Sequence, residues 1–235
     1  MAWYAKTYGG YSKTSTEGQA NAAELTQALY ALGWCPESIA AMLGNGAGES
    51  GLNPWRWEGD AVQPTNGNLS IGYGIFQFTP ASKYINNTTA TQYRKYGYAP
   101  NFSNRAGRPS DGAAQTRWFG DHVGSDFKYE LYGYYADDFA GIGVDISTFY
   151  YTTYDNFING TDNNGDPLTL AQLVGVFELC YERPADWAAA SSYWTRVSEA
   201  QWWYEHLPEP EPPGPDPEDF PYWILFKFRG RGLRS

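Results

Sequence analysis

The sequence predicts a mainly α-helical fold with one small irregular or β element, and three observations predict it. Apolar residues recur at helical spacing near residues 16–32, 36–43, 169–181 and 186–207. Capping or breaking residues stand at the ends of these stretches. Between them, the segment from Trp55 to Phe78 loses that period and is rich in Gly, Asn and other turn formers.

Taken in order, residues up to Ser15 read as irregular, and Thr16 with Gln19 fits a capping box. A helix then runs to about Leu32 with Leu25, Leu29 and Leu32 as its apolar stripe, and Gly33 stops it. Pro36 suits the first position of the next helix, where Ile39, Met42 and Leu43 recur. Asn66-Gly67 reads as a tight turn, SIGYGIFQF as a short extended segment, and Thr79-Pro80 as a helix start. Residues 86–110 read as loops, and Ser110 or Asp111 caps a helix through Val123. The stretch 126–160 is aromatic and ambiguous, helical at most at the start of DDFAGIGVDISTFYYTTYDNFI. The clearest helix is capped by Thr169, carries Leu170, Leu173, Val174 and Phe177, and ends at Arg183-Pro184. A last helix from Asp186 to about Leu207 places Tyr193, Val197, Ala200 and Tyr204 on one face. Residues 1–206 thus form one domain. The acidic, Pro-rich run 207–219 is a semi-rigid spacer, and 220–235 is an apolar then basic tail suited to docking on a partner.

Composition narrows the function. The formal net charge of −10 argues against nucleic acid as a partner, because phosphate binding needs Lys and Arg. The 20 Tyr and 10 Trp suit aromatic packing and also sugar faces. No stretch is long and apolar enough to span a bilayer, and the N-terminus lacks an apolar leader. A protein made in the cytosol, or leaving it by another route, is expected. Cys35 and Cys180 make no disulfide scaffold, and with His122 and His206 they make no zinc pattern. Cys35 with His122 lies in no recognisable nucleophile motif. The loop TDNNGDP offers oxygens without the twelve-residue calcium pattern, and a turn before a helix explains it better. No cofactor or metal is called for.

Chemistry concentrates at GNGAGESGLNPWRW, from Gly44 to Trp57. Gly44, Gly46 and Gly48 are poor helix residues, useful where something must approach the backbone closely. Glu49 stands among them at the end of an apolar helix. There it is either an ordinary surface acid or a carboxyl whose apolar setting holds its proton, as general acid catalysis requires. Glu58 and Asp60 follow in the next loop.

Three motifs stand in order: AGESGLNP with Glu49, GYGIFQF with Tyr73, Phe76 and Gln77, and FELCYERP with Tyr181 and Glu182. This order resembles the lysozyme-like superfamily, including goose-type lysozymes and lytic transglycosylases, over about residues 16–206. The phage tail lysozyme family, with a similar ES…GIFQ…YERP series, resembles it more closely. The resemblance implies an α+β lysozyme-like helical domain with the small element beside its active-site cleft. It implies bacterial peptidoglycan as substrate, the N-acetylmuramic acid to N-acetylglucosamine bond as target, and Glu49 as general acid. Asp60, before Glu58, is the candidate general base or charge stabiliser, since glycosidases usually pair two carboxylates. Glu58, Tyr73, Phe76 and Gln77 would line the sugar groove, and Tyr181 would orient Glu49 or the oxocarbenium-like centre. Glu182 and Arg183 would form a structural ion pair. The Tyr-Asn pair typical of lytic transglycosylases is replaced by Tyr181-Glu182, which favours hydrolysis. In this packing the helices bearing Cys35 and Cys180 would touch, and whether the sulfurs bond is left open. The expected setting is a phage tail, among other tail proteins, or host cytoplasm before release. The rivals are a lytic transglycosylase using the same acid and a non-catalytic glycan-binding tail protein; a wall peptidase lacks a motif.

Overall fold

The computed structural model describes residues 3–6, 8–60, 70–81, 110–128, 132–183 and 186–211. The turn expected at Asn66-Gly67, the helix after Pro80, the loops 86–109 and most of the spacer and tail lie outside these residues. The fold is mainly helical, as expected. α1 (Thr16–Ala31), α2 (Pro36–Ser50), α3 (Ser110–Asp126) and α4 (Tyr132–Gly141) are followed by α5 (Tyr154–Ile158), α6 (Leu170–Phe177) and α7 (Asp186–Glu205).

α1 is capped one residue earlier than Thr16. The Ser15 side chain accepts from the Gly18 N–H, because Ser15 has the extended backbone a cap requires. Leu25 and Leu29 are buried, but Leu32 is the C-cap residue and is 47% exposed, so it falls off the predicted stripe. α2 starts on Pro36 and carries Glu49 at its end, as read. It continues through the glycines to Ser50 and is capped by Gly51 at φ 59, a left-handed conformation that glycine adopts without a Cβ penalty.

Every residue from Ser38 to Gly46 is buried, which makes α2 the central helix of the core. It packs above all on α7, and also on α6, α1 and α5. Gly44 explains the closeness to α7: a Cβ there would lie 2.6 Å from the Arg196 carbonyl oxygen and 2.7 Å from the Ala200 Cβ. The glycine cluster therefore serves close approach, and what approaches at Gly44 is a helix backbone. The inner face of α7 is Ala189, Tyr193, Arg196, Ala200 and Trp203, all buried. Tyr204 is instead 41% exposed, and its hydroxyl donates to Glu37.

The amino-terminal stretch is an ordered strap. Buried Asn21 binds both backbone groups of Tyr4, and Asn53 accepts from the Lys6 N–H and donates to the carbonyls of Lys6 and Gly9. The strap crosses the end of α2, where the Tyr11 N–H donates to the Gly51 carbonyl at 2.9 Å.

The small element is present between Trp55 and Ala81. Trp57 and Tyr73 form an antiparallel bridge, supported by Glu58 N–H to Gly72 O at 2.9 Å and Gly74 N–H to Arg56 O at 2.8 Å. Buried Gln115 of α3 fastens it, accepting from Ile75 N–H and donating to Pro54 O. The ambiguous stretch resolves into α4, a 3₁₀ turn at Ile146–Thr148 and α5. α6 has the expected Thr169 cap, which Gln172 completes as a capping box. After Phe177 the helix widens into a π-helical turn, Glu178–Glu182, which Arg183 closes at φ 50.

Candidate active site

Glu49 occupies the last turn of α2, where the helix reaches the surface; its side chain is 21% exposed. The neighbouring Ser50 is buried and donates to the Ile75 carbonyl at 2.8 Å, which ties this helix end to the element bearing Tyr73, Phe76 and Gln77. Two of the three predicted motifs therefore meet here.

The third motif meets them through residues that sequence reasoning passed over. Arg196, buried on α7, bridges two acids. Its Nη2 lies 2.5 Å from Glu49 Oε1 and its Nε lies 3.0 Å from Glu178 Oε1. Its Nη1 donates to Asn45 Oδ1 at 3.0 Å, and Nε also to Ser192 Oγ at 3.1 Å. Glu178 is wholly buried, accepts from Ser192 at 2.9 Å, and has one oxygen, Oε2, without a hydrogen-bond partner among the described residues. Burial pushes the Glu178 carboxyl up to about 7, with Arg196 and Ser192 acting against that rise and Glu49 adding to it. Burial opposes the Arg196 charge, but Glu178, Glu49 and Glu182 outweigh it and hold the guanidinium above its ordinary value. The wholly apolar setting expected around Glu49 is thus corrected: a guanidinium sits at its carboxylate. One signal for these residues was present in the sequence, a Glu inside the apolar run LVGVFELCY and an Arg on the buried face of the last helix.

The remaining predicted residues fall as follows. Glu58 is exposed and its Oε2 accepts from the Gly72 N–H at 2.7 Å, so it braces the small element. Asp60 ends the 3₁₀ turn Glu58–Asp60, and its side chain lies outside the described residues. Tyr73 is buried with its ring 4.5 Å from that of Trp57. Phe76 is buried and stacks 4.0 Å from Phe119, as core rather than groove wall. Gln77 is half-buried, adopts φ 42, and donates its side-chain amide to the carbonyls of Arg56 and Gly74. Tyr181 is buried edge-on to Phe119 and beside Phe177, with no hydrogen bond to Glu49 among the described residues. Its hydroxyl is held well above the ordinary tyrosine value by burial, with Glu182 and Asp126 adding to it. At this corner Arg196 makes a buried ion pair with Glu178, and the Arg183 N–H closes the π turn on Glu178 O at 2.8 Å.

The cysteines are free thiols. Cys35 bonds Ser38, and Cys180 is buried near the Tyr150 carbonyl with its thiol pushed up to about 12 by burial. His122 stacks on Trp118 and bonds its carbonyl, so it and Cys35 engage separate partners. In the 161–167 loop, Asp162 spends a carboxylate oxygen on the N–H groups of Asn164 and Asp166 and shapes the turn.

The chain is similar to known phage proteins. It is 39% identical over 80 residues to morphogenesis protein 1 of Bacillus phage B103, a match covering 32% of this chain and 21% of that protein. The family model described as phage tail lysozyme matches residues 20–207, which takes in all but the first turn of α1, the helices α2 to α7 and every candidate site residue. On that match, the chain belongs to the phage tail lysozyme family.

Proposed function

We propose that this chain is a peptidoglycan glycosidase, a muramidase that cleaves the β-1,4 bond between N-acetylmuramic acid and N-acetylglucosamine. The observation that carries the reading is Glu49: a partly exposed carboxyl in the last turn of a helix whose middle is buried, next to a serine bonded to the small element. Family membership supports peptidoglycan as the substrate class.

In this reading Glu49 gives its proton to the glycosidic oxygen as the bond to the sugar carbon breaks, and the electron pair leaves with that oxygen. Water adds to the sugar carbon and loses a proton to a base or to solvent, and Glu49 regains its own from solvent. Asp60 is the proposed general base or charge stabiliser. It is preferred to Glu58, whose carboxylate is already bonded to a backbone N–H. Gln77 and Tyr73 act from the small element, with the Gln77 amide setting the loop through two carbonyls. Tyr181 acts by packing under the site. The phage origin and name of the relative support a virion role, acting on the wall from the tail.

Product analysis tests the reaction. Purified protein is incubated with isolated cell walls, and the soluble fragments are analysed by mass spectrometry. Saccharides ending in reducing N-acetylmuramic acid are expected. Anhydro-muramic ends would make it a lytic transglycosylase, and intact walls with bound protein would make it a glycan-binding tail component.

A further inference from the structure

We infer that the cavity between α1 and the end of α7 is a second carbohydrate site, separate from Glu49, that takes one N-acetylglucosamine unit of the wall. The inference takes its ligand class from the reading of the chain as a peptidoglycan glycosidase.

The cavity encloses about 330 Å³, within the size range of small-molecule sites. Ala22, Ala23 and Thr26 line it from one face of α1. Trp202 and Trp203 line it from α7, and Leu43 from α2. Leu207 and Pro208, where the spacer begins, complete the wall. Gln27 holds the spacer there: its side-chain amide donates to the Glu209 carbonyl and accepts from the Glu211 N–H, both at 2.9 Å.

This place is distinct from the site at Glu49. Leu43 lies six residues before Glu49, about 9 Å along α2, and Trp203 lies seven after Arg196, about 10 Å along α7. The two helices run antiparallel here, since Gly44 meets Ala200 while Gly48 meets Arg196. Both displacements therefore point the same way.

Two groups on these walls lack a partner. Thr26 Oγ1 and Trp203 Nε1 are buried and have no hydrogen bond among the described residues. Thr26 is 0% exposed and Trp203 3%. Buried polar groups are as a rule paired, so each of these needs an explanation. An indole N–H can only donate, and a carbonyl oxygen would satisfy it; the threonine hydroxyl donates or accepts. Around them the walls are apolar, and no Asp, Glu, Lys or Arg is among the described residues that line the cavity. Gln19 and His206, both exposed, bring polar groups to its mouth.

The occupant is therefore neutral, with a carbonyl acceptor and apolar surface. N-acetylglucosamine has both in its acetamido group, and its hydroxyls suit the polar mouth. N-acetylmuramic acid adds a lactyl carboxyl, or a peptide upon it, for which the cavity holds no Lys or Arg.

The test is a ¹H–¹⁵N NMR titration of the full chain with N-acetylglucosamine, followed at the Trp203 indole N–H. A saturable downfield shift is expected. Glucosamine, which lacks the acetyl group, should bind about tenfold more weakly, the worth of one hydrogen bond. Ala23→Leu, which fills the cavity, should abolish the shift. If A23L does not fold, Thr26→Val, which keeps the shape and removes the hydroxyl, should weaken binding by a similar factor. A Trp203 resonance that does not move, as for a cavity holding only water, overturns the inference. So do shifts confined to residues around Glu49 and Tyr73, or a Trp203 shift that survives A23L, or T26V where A23L does not fold. Walls left intact by a protein that shows the Trp203 shift would remove the glycosidase reading and leave this site standing. Walls cleaved by a protein whose Trp203 does not respond remove this inference alone.

Discussion

Arg196 illustrates how much one buried cation organises. Breaking a buried pair leaves an uncompensated charge, at a cost of about 3–5 kcal/mol. Replacing Arg196 with Met strands Glu178, which is wholly buried, and is expected to lower the urea unfolding free energy by that order. The double variant R196M/E178M, which removes both charges, is expected to recover much of the loss. Glu178 also makes a pH prediction with a definite sign. Its folded value is about 7 against an ordinary 4.5, so between those values the folded chain keeps a proton that the unfolded chain has lost. Stability should fall as pH rises through that window, by at most about 1.4 kcal/mol per unit. Urea midpoints measured across the window check this, and E178Q should flatten the slope. The place of Glu49 at the end of a helix was legible in the sequence, but its partner was not. Arg196 lies 147 residues away, and only packing brings a charge of α7 onto the end of α2.

At the scale of elements, caps and periodicity read well because they are local. Pro36 at the start of α2 and the Thr169 cap of α6 are where the residues put them. The course of α2 through Gly44, Gly46 and Gly48 was not legible from propensity, which disfavours glycine in helices. Tertiary packing overrides it: the α7 backbone fills the space a side chain would take at Gly44. Gly44→Val should therefore force α2 and α7 apart and destabilise by about 1–3 kcal/mol, as overpacking does. Thermal unfolding followed by circular dichroism checks this. The π-helical turn had no local signature either. It follows a good α-helical run, and what it achieves is the placement of Glu178 against α7.

Across the whole molecule, the helical class and the irregular element near residues 55–78 were both readable, since periodicity and its loss are long-range patterns. The strap was not. Residues before Ser15 look irregular, yet buried Asn21 and Asn53 bind its backbone. Asn53→Ala removes three of those bonds and should cost about 1–3 kcal/mol, the penalty for buried groups left unpaired. Faster protease cleavage within residues 8–15 would report the release. Because the strap also bonds the cap of α2, its loss should lower lytic activity beyond the loss of folded protein.

The fold converges on one carboxyl at the end of one buried helix, and Glu49→Gln examines it with least disturbance. Release of soluble muropeptides from purified walls should drop by about 10²–10⁴-fold, the usual contribution of a general acid. The thermal midpoint should remain near that of the wild type. Release at the wild-type rate by a folded E49Q protein would contradict the account.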